Sequence, residues 1–339
     1  MEIIFKSINV VNYEVGTVVN KQPPDEFDAH IDELITHIKT NNSVRDYVTS
    51  SNKTEVISSV LEVCNDCNEG TFVNNSNIIA KRLLKVEMET QEKVSVLNVN
   101  VKKGSLIQAL LRDNGKYYYL LAKVQHSDFV DDDDFSFKTG FSKDKKSIWK
   151  SCLLDLSDLS SSQFFAKIYT DVVAKFWSRE FLELVPVRND ESNTRNAFNY
   201  IDRTLGKRIK KVSKSDYLFL RNASIVYFRT HDHFDYYEMI TDVFESYPPE
   251  NIASDAYSTL IDNLRIIPES NGFDAQFEPD LKCIKARVRK VFNVTDSIDI
   301  VIKDGIDNLK QAICVDQNIS GEKFIKIKID NDDTFRYFS

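Results

Sequence analysis

The sequence predicts an α+β protein, and three observations carry that expectation. Apolar side chains recur at helical spacing in several segments, residues 25–40 among them. The turn Asp113-Asn114-Gly115 joins two strand-like runs. Strand-like alternation with β-branched residues returns in residues 297–330, after the last prolines.

The 339 residues carry 44 Lys+Arg against 52 Asp+Glu, a net charge of −8, with 42% hydrophobic residues. That is ample for a globular core. At roughly 100–200 residues per domain, two domains are expected. We place them at 1–155, a mixed α/β domain around a central antiparallel hairpin or sheet, and 156–339, a helical middle section closed by a small antiparallel meander. No apolar run approaches the ~18–20 residues that span a bilayer, so no membrane association is expected. The opening residues read as an early strand rather than a targeting segment. Five cysteines, an odd number, fit reduced thiols in a cytoplasm.

Taken in order, residues 2–20 alternate well enough for one or two strands, closed by Pro23-Pro24. In 25–40, Phe27, Ile31, Leu34, Ile35 and Ile38 share a helical face behind early acids. The Asn/Ser/Thr-rich stretch 41–75 holds a short helix at 56–63, and 77–89 reads as another. Val94, Val96, Val99 and Val101 suggest a strand. Residues 105–112 and 116–125 flank the Asn-Gly turn, and the acidic tract 131–134 marks a loop or exposed edge. Residues 163–184 show a helical period up to Pro186. Further helices are expected in 192–222 and 234–264, separated by Tyr247-Pro248-Pro249, and strands at 297–303, 311–316 and 323–330.

Charge is distributed unevenly. Residues 137–222 carry 17 basic and 10 acidic side chains, and residues 223–281 carry 2 and 12. Opposed solvated faces explain this, and so does a local anion-binding stripe on an acidic body. If 198–222 is one helix, Arg203, Lys207, Lys210, Lys211, Lys214 and Arg221 fall within about a 100° arc. Ile201, Leu205, Val212 and Phe219 lie opposite. A row of cations matches the spaced phosphates of a nucleic acid, although an exposed helix face would carry the same pattern. Gly206 and a capping box at Ser213–Asp216 would break that helix, and a break would scatter the stripe. A second cluster, Lys138, Lys143, Lys145, Lys146 and Lys150, is interleaved with Phe141 and Trp149, as in stacking and phosphate contact. A third comprises Lys282, Lys285, Arg287, Arg289 and Lys290, with Lys285, Arg287 and Arg289 on one face of a strand.

Other motifs are weaker. Cys64 and Cys67 have zinc-knuckle spacing but lack a second ligand pair. His231, His233 and Asp235 would form a metal face only on a strand, whereas the local pattern favours a loop. Asp144–Lys146 and Asp280–Lys282 supply the D-x-K of some metal nucleases, without a second acid. No phosphate loop, nucleophile elbow or dinucleotide fingerprint is present, so neither an enzyme nor a cofactor is supported.

In order and spacing the chain resembles the 37-kilodalton nucleoid-associated (NdpA-like) family of bacteria. The resemblance runs through residues 77–84, NIIAKRLL, the hairpin of 104–110 with 117–124, then 153–157, 172–177, Phe181-Leu182, 193–202 and the final strands. It implies a cytoplasmic protein of the bacterial nucleoid that binds DNA with little sequence preference. It transfers no catalytic set, and the contact residues named above come from charge placement alone. A protein-interaction role remains an alternative, with the acidic 223–281 segment facing a topoisomerase or a phage-defence component. So does a metal-dependent nuclease. A homodimer is compatible with each.

Overall fold

A computed structural model describes residues 1–41, 43–94, 104–130, 137–141, 148–170, 176–265 and 268–339. Two compact units divide at Arg188/Asn189. Residues 156–188, assigned by sequence to the helical region, group with the first unit.

In chain order the first unit holds β1 (Glu2–Asn12), β2 (Thr17–Lys21), α1 (Asp28–Thr40), β3 (Arg45–Thr49), α2 (Glu55–Asp66), α3 (Glu69–Val94), β4 (Gly104–Asp113), β5 (Lys116–Val130), β6 (Phe137–Phe141), β7 (Ile148–Leu156), β8 (Phe165–Thr170) and β9 (Leu184–Pro186). Among the described residues, nine strands form one antiparallel sheet in the order β2-β1-β4-β5-β7-β8-β3-β9, with β6 beside β5. The central hairpin follows from its turn: Asn114 and Gly115 both adopt positive φ, 49° and 78°, as a two-residue hairpin turn requires.

Helices cover both faces of the sheet. Ile31, Leu34, Ile35 and Ile38 of α1 pack on Ile107, Ala109, Leu120 and Ala122. Val60 of α2 and Leu83 of α3 belong to the opposite core, with Leu106, Leu110, Tyr119 and Leu121. A strand covered on both sides reads as a nearly continuous apolar run. β4 is buried without a break from Gly104 to Leu111, its polar Ser105 and Gln108 being hydrogen-bonded to His126 and to Asn9 and Ser76. Gly104 is fixed by close approach, because a Cβ there would lie 2.4 Å from the Val124 carbonyl oxygen.

This apolar layer also holds a buried ion pair between Glu87 of α3 and Lys123 of β5. Lys150 of β7 is buried too, its ammonium 5.2 Å from the Phe176 ring centroid.

The helix expected over 163–184 is instead β8 followed by a π-helical turn, Phe176–Phe181. Phe164, Ala166 and Ile168 are buried while Phe165 and Lys167 are exposed. Period two prevails here because β7 and β3 supply pairing partners on both sides. β3 itself lies in the stretch where the sequence suggested no strand. Of the strand expected at 94–101, Val94 ends α3 and the rest lies outside the described residues, as does the acidic tract 131–134.

The second unit runs α4 (Asp190–Arg208), α5 (Lys214–Thr230), β10 (Phe234–Asp235), α6 (Tyr236–Met239), α7 (Ser254–Arg265), β11 (Gln276–Phe277), α8 (Lys285–Val288), β12 (Lys290–Thr295), β13 (Ile298–Ile302), α9 (Leu309–Ala312), β14 (Ile313–Gln317), β15 (Lys323–Ile327) and α10 (Asp332–Phe338). Its core gathers Phe198, Ile201, Leu205, Phe228 and Phe244 from the helical layer, with Phe234 of β10 and Phe273 of the loop before β11. The final strands form two separate hairpins, β12–β13 and β14–β15, not one meander. No helix among the described residues is long and apolar enough to cross a membrane.

Candidate nucleic-acid interface

The single helix expected over 198–222 is two helices meeting at a basic corner. α4 ends at Arg208, two residues after Gly206, whose missing side chain weakens a helix interior. The amides of Ile209 and Lys210 both reach the Leu205 carbonyl, at 2.9 and 3.2 Å, and Ser213 N–H bonds to Ile209 O at 2.9 Å. Ile209 is buried and pins this tight turn to the core. Ser213 then caps α5, its hydroxyl accepting the Asp216 N–H at 3.1 Å. The capping box legible in the sequence therefore starts a new helix. Val212, expected on the apolar face, lies in the turn and is 64% exposed.

The break ends the common helical arc, and the cations are held together instead by their closeness in the chain. Arg203 and Lys207 lie one turn apart on α4, Lys210 and Lys211 occupy the turn, and Lys214 opens α5. All five are exposed, as is Arg208. Between 203 and 214 there are six basic residues and no acid. None of the six forms an ion pair with another described residue. Lys207 and Arg208 suit the negative end of the α4 dipole, whereas Lys214 sits at the positive end of α5, which costs a cation about 0.3–1 kcal/mol. Helix stability alone does not account for that placement.

Arg221 departs from the expected set. It is 6% exposed, its Nε donates to Asp202 Oδ1 at 2.7 Å, and its guanidinium lies over the Phe198 ring. Its charge is spent inside the unit, clamping α5 to α4. A different residue joins the corner. Lys290, from the third basic cluster, brings its ammonium 5.7 Å from the Tyr217 ring, and Lys210 reaches the same ring at 5.6 Å. Burial, reinforced by the charges of Arg221 and Lys210 and only countered by Asp202, holds the Lys290 amine below the usual lysine range. Lys210 and Lys290 are far apart in the chain, so only tertiary packing reveals the pairing.

Beneath the corner, Asp216 is fully buried. Its carboxylate accepts the Tyr247 hydroxyl at 2.7 Å and the amides of Glu250 and Asn251, both at 3.1 Å. Burial pushes this group up, but the donors of Glu250, Tyr247, Ser213 and Asn251 together outweigh it and hold the carboxyl below the usual range. Because the folded value lies below the unfolded one, the stabilisation is present above about pH 3.9 and is lost as pH falls through the folded value. Asp216→Asn should cost about 1.5–3 kcal/mol at neutral pH. Urea titrations at successive pH values should show the gap to the parent protein narrowing on acidification; a pH-independent gap would contradict this assignment.

Among the remaining expectations, Lys143, Lys145 and Lys146 lie outside the described residues, and so does the Asp144–Lys146 motif. Lys285 and Arg287 fall on the short helix α8 and Arg289 follows it, so the strand face assigned to them does not form. Asp280 caps a short turn by accepting the Lys282 N–H. His231 stacks on Tyr227 at 3.9 Å between ring centroids, while Asp235 caps α6 and accepts from Gln276. These groups follow the loop pattern, not a metal face. Cys64 is buried and Cys67 exposed, and burial, with Cys67 nearby, pushes the Cys64 thiol up to about 12. Among the described residues no group of three or more His, Cys, Asp or Glu is arranged to hold a metal.

No protein-family model matches this chain, and no curated protein matches it significantly.

Proposed function

We propose that this protein binds DNA through its backbone phosphates, with little sequence preference, as a nucleoid-associated protein of a bacterial cytoplasm. The observation that carries the reading is the corner itself. Six exposed cations within twelve residues, free of any intervening acid, run from the end of α4 through the turn to the start of α5. Point charges spaced along a helix end and a turn gain affinity by releasing condensed counterions, a gain that base sequence does not affect. The resemblance to the NdpA-like family points the same way. An acidic body around a basic patch limits contact to that patch.

The test is a labelled duplex of scrambled sequence titrated with protein across a salt series, with and without magnesium. Affinity should fall linearly in log–log form with salt, and the DNA should stay intact. Absence of binding at low salt would overturn the proposal. Magnesium-dependent cleavage would replace it with the nuclease reading.

A further inference from the structure

The second unit ends in a segment that its own core does not cover. Every residue from 314 to 339 is exposed, across β14, β15 and α10. The strand register makes the hairpin amphipathic. Ile313 faces Ile327 and Val315 faces Ile325, so one face is aliphatic over these two pairs and turns polar at Gln317–Lys323 toward the hairpin tip, while the Cys314–Lys326 and Asp316–Phe324 pairs occupy the other face. α10 adds Phe335, Tyr337 and Phe338. Val315, Ile325, Ile327 and these three aromatics are between 42 and 87% exposed.

Such a segment needs a partner on physical grounds. Ordering each residue costs about 1–2 kcal/mol of chain entropy, and a lone two-stranded hairpin is marginal in water. Within the chain, burial offsets almost none of that cost here. Exposed apolar surface of this extent marks an interaction site.

We propose that the occupant is a second copy of this chain, the aliphatic faces of two β14–β15 hairpins packing across a twofold axis with α10 closing the edge. Area supports this choice. With aromatics at roughly 150–250 Å² each when fully covered, the six side chains offer on the order of 800 Å² per copy, as one side of a standard interface does. Charge supports it too. Asp316 pairs with Lys326 at 2.6 Å, Lys328 with Asp330 at 3.3 Å and Arg336 with Asp333 at 3.6 Å. Six of the arm's nine charges are paired in this way and its net charge is only −1, so it has little to attract a polyanion or a basic protein, and a self-complementary apolar patch suits an isologous contact. The residues of this surface are distinct from those of the basic corner, so the inference does not depend on the DNA-binding proposal.

Sedimentation velocity on the full chain, without DNA, tests it. The parent protein should sediment as a dimer well below about 100 µM. Val315→Lys with Ile327→Lys should raise the dissociation constant at least ~100-fold, because two buried ammonium groups would meet across the contact. Ile319→Lys, at the exposed hairpin tip and off that face, should leave the dimer intact. All three positions lie outside the unit's core, so Ile319→Lys should leave circular dichroism and thermal midpoint unchanged, while the double variant should stay folded and lose only the stabilisation that dimer formation supplies. A parent protein that stays monomeric at about 100 µM, or a dimer that the double substitution does not dissociate, would overturn the proposal.

Discussion

Replacing Lys207, Lys210, Lys211 and Lys214 together by glutamate should weaken binding to an unrelated DNA duplex by roughly 100-fold or more at low salt. The slope of log K against log salt should flatten by about 0.9 for each phosphate no longer neutralised, so by about 3–4 for the four lysines. The weakening should be similar for unrelated sequences, because a phosphate contact carries no base information. All four side chains are exposed and none forms an ion pair with another described residue, so the fold's stake in their charge is limited to Lys207 at the end of α4, Lys214 at the start of α5 and the Lys210 contact with the Tyr217 ring. Thermal stability should change little, the losses at 207 and 210 being offset by relieved repulsion and by the favourable glutamate at the start of α5. Arg221→Gln supplies the contrast: it removes a buried clamp on Asp202. That variant should lose stability while retaining its salt slope. Equal slopes for the quadruple variant and the parent protein would exclude the corner as the DNA-binding surface.

The unequal behaviour expected of Arg221 and Lys207 shows where sequence reading reaches its limit. On a helical wheel the two belong to one arc, and each is a cation at a suitable angle. What separates them is Ser213, which ends the wheel's validity by starting a new helix, and Asp202, which lies 19 residues from Arg221 in sequence yet 2.7 Å away in space. Local signals were legible wherever the chemistry is local. The Asn-Gly turn, the α1 stripe and the Ser213 cap depend only on residues a few positions apart. β8 was not legible, because Phe164, Phe165 and Ile168 satisfy a helical and an alternating pattern equally. Its partners β7 and β3 decide the outcome, and β3 comes from far upstream, with Val48 opposite Phe165 and Arg45 opposite Ile168. Lys290 joined the corner by the same kind of long-range packing.

The second large effect lies in the first unit, at the ion pair that no spacing rule could have found. Glu87 is fully buried and Lys123 is 3% exposed. One oxygen of Glu87 meets the Lys123 ammonium, and Oε2 is buried without a hydrogen-bond partner among the described residues. Burial pushes the Glu87 carboxyl above its ordinary range, with Lys123 and then Lys150 pulling it back. Lys123→Met should therefore cost about 3–5 kcal/mol at neutral pH, the usual penalty for leaving one partner of a buried pair uncompensated. The pH dependence has a definite sign. A carboxyl whose folded value lies above the unfolded one binds its proton first in the folded state, so stability falls as pH rises between the two. Removing Lys123 raises the folded value further. The deficit of Lys123→Met should thus be smallest near pH 5 and grow toward pH 8, as read by urea titration across that range. The double variant Lys123→Met with Glu87→Leu should recover much of the stability at neutral pH, since well-packed apolar groups replace a buried pair at little net cost. A deficit independent of pH would show that the lysine matters chiefly through packing of its aliphatic stem, and one that grew on acidification would contradict the assignment. Recovery in the double variant, with the fold otherwise unchanged, would show that the pair is dispensable for stability in this apolar layer, where the surrounding contacts already specify how α3 seats on β5.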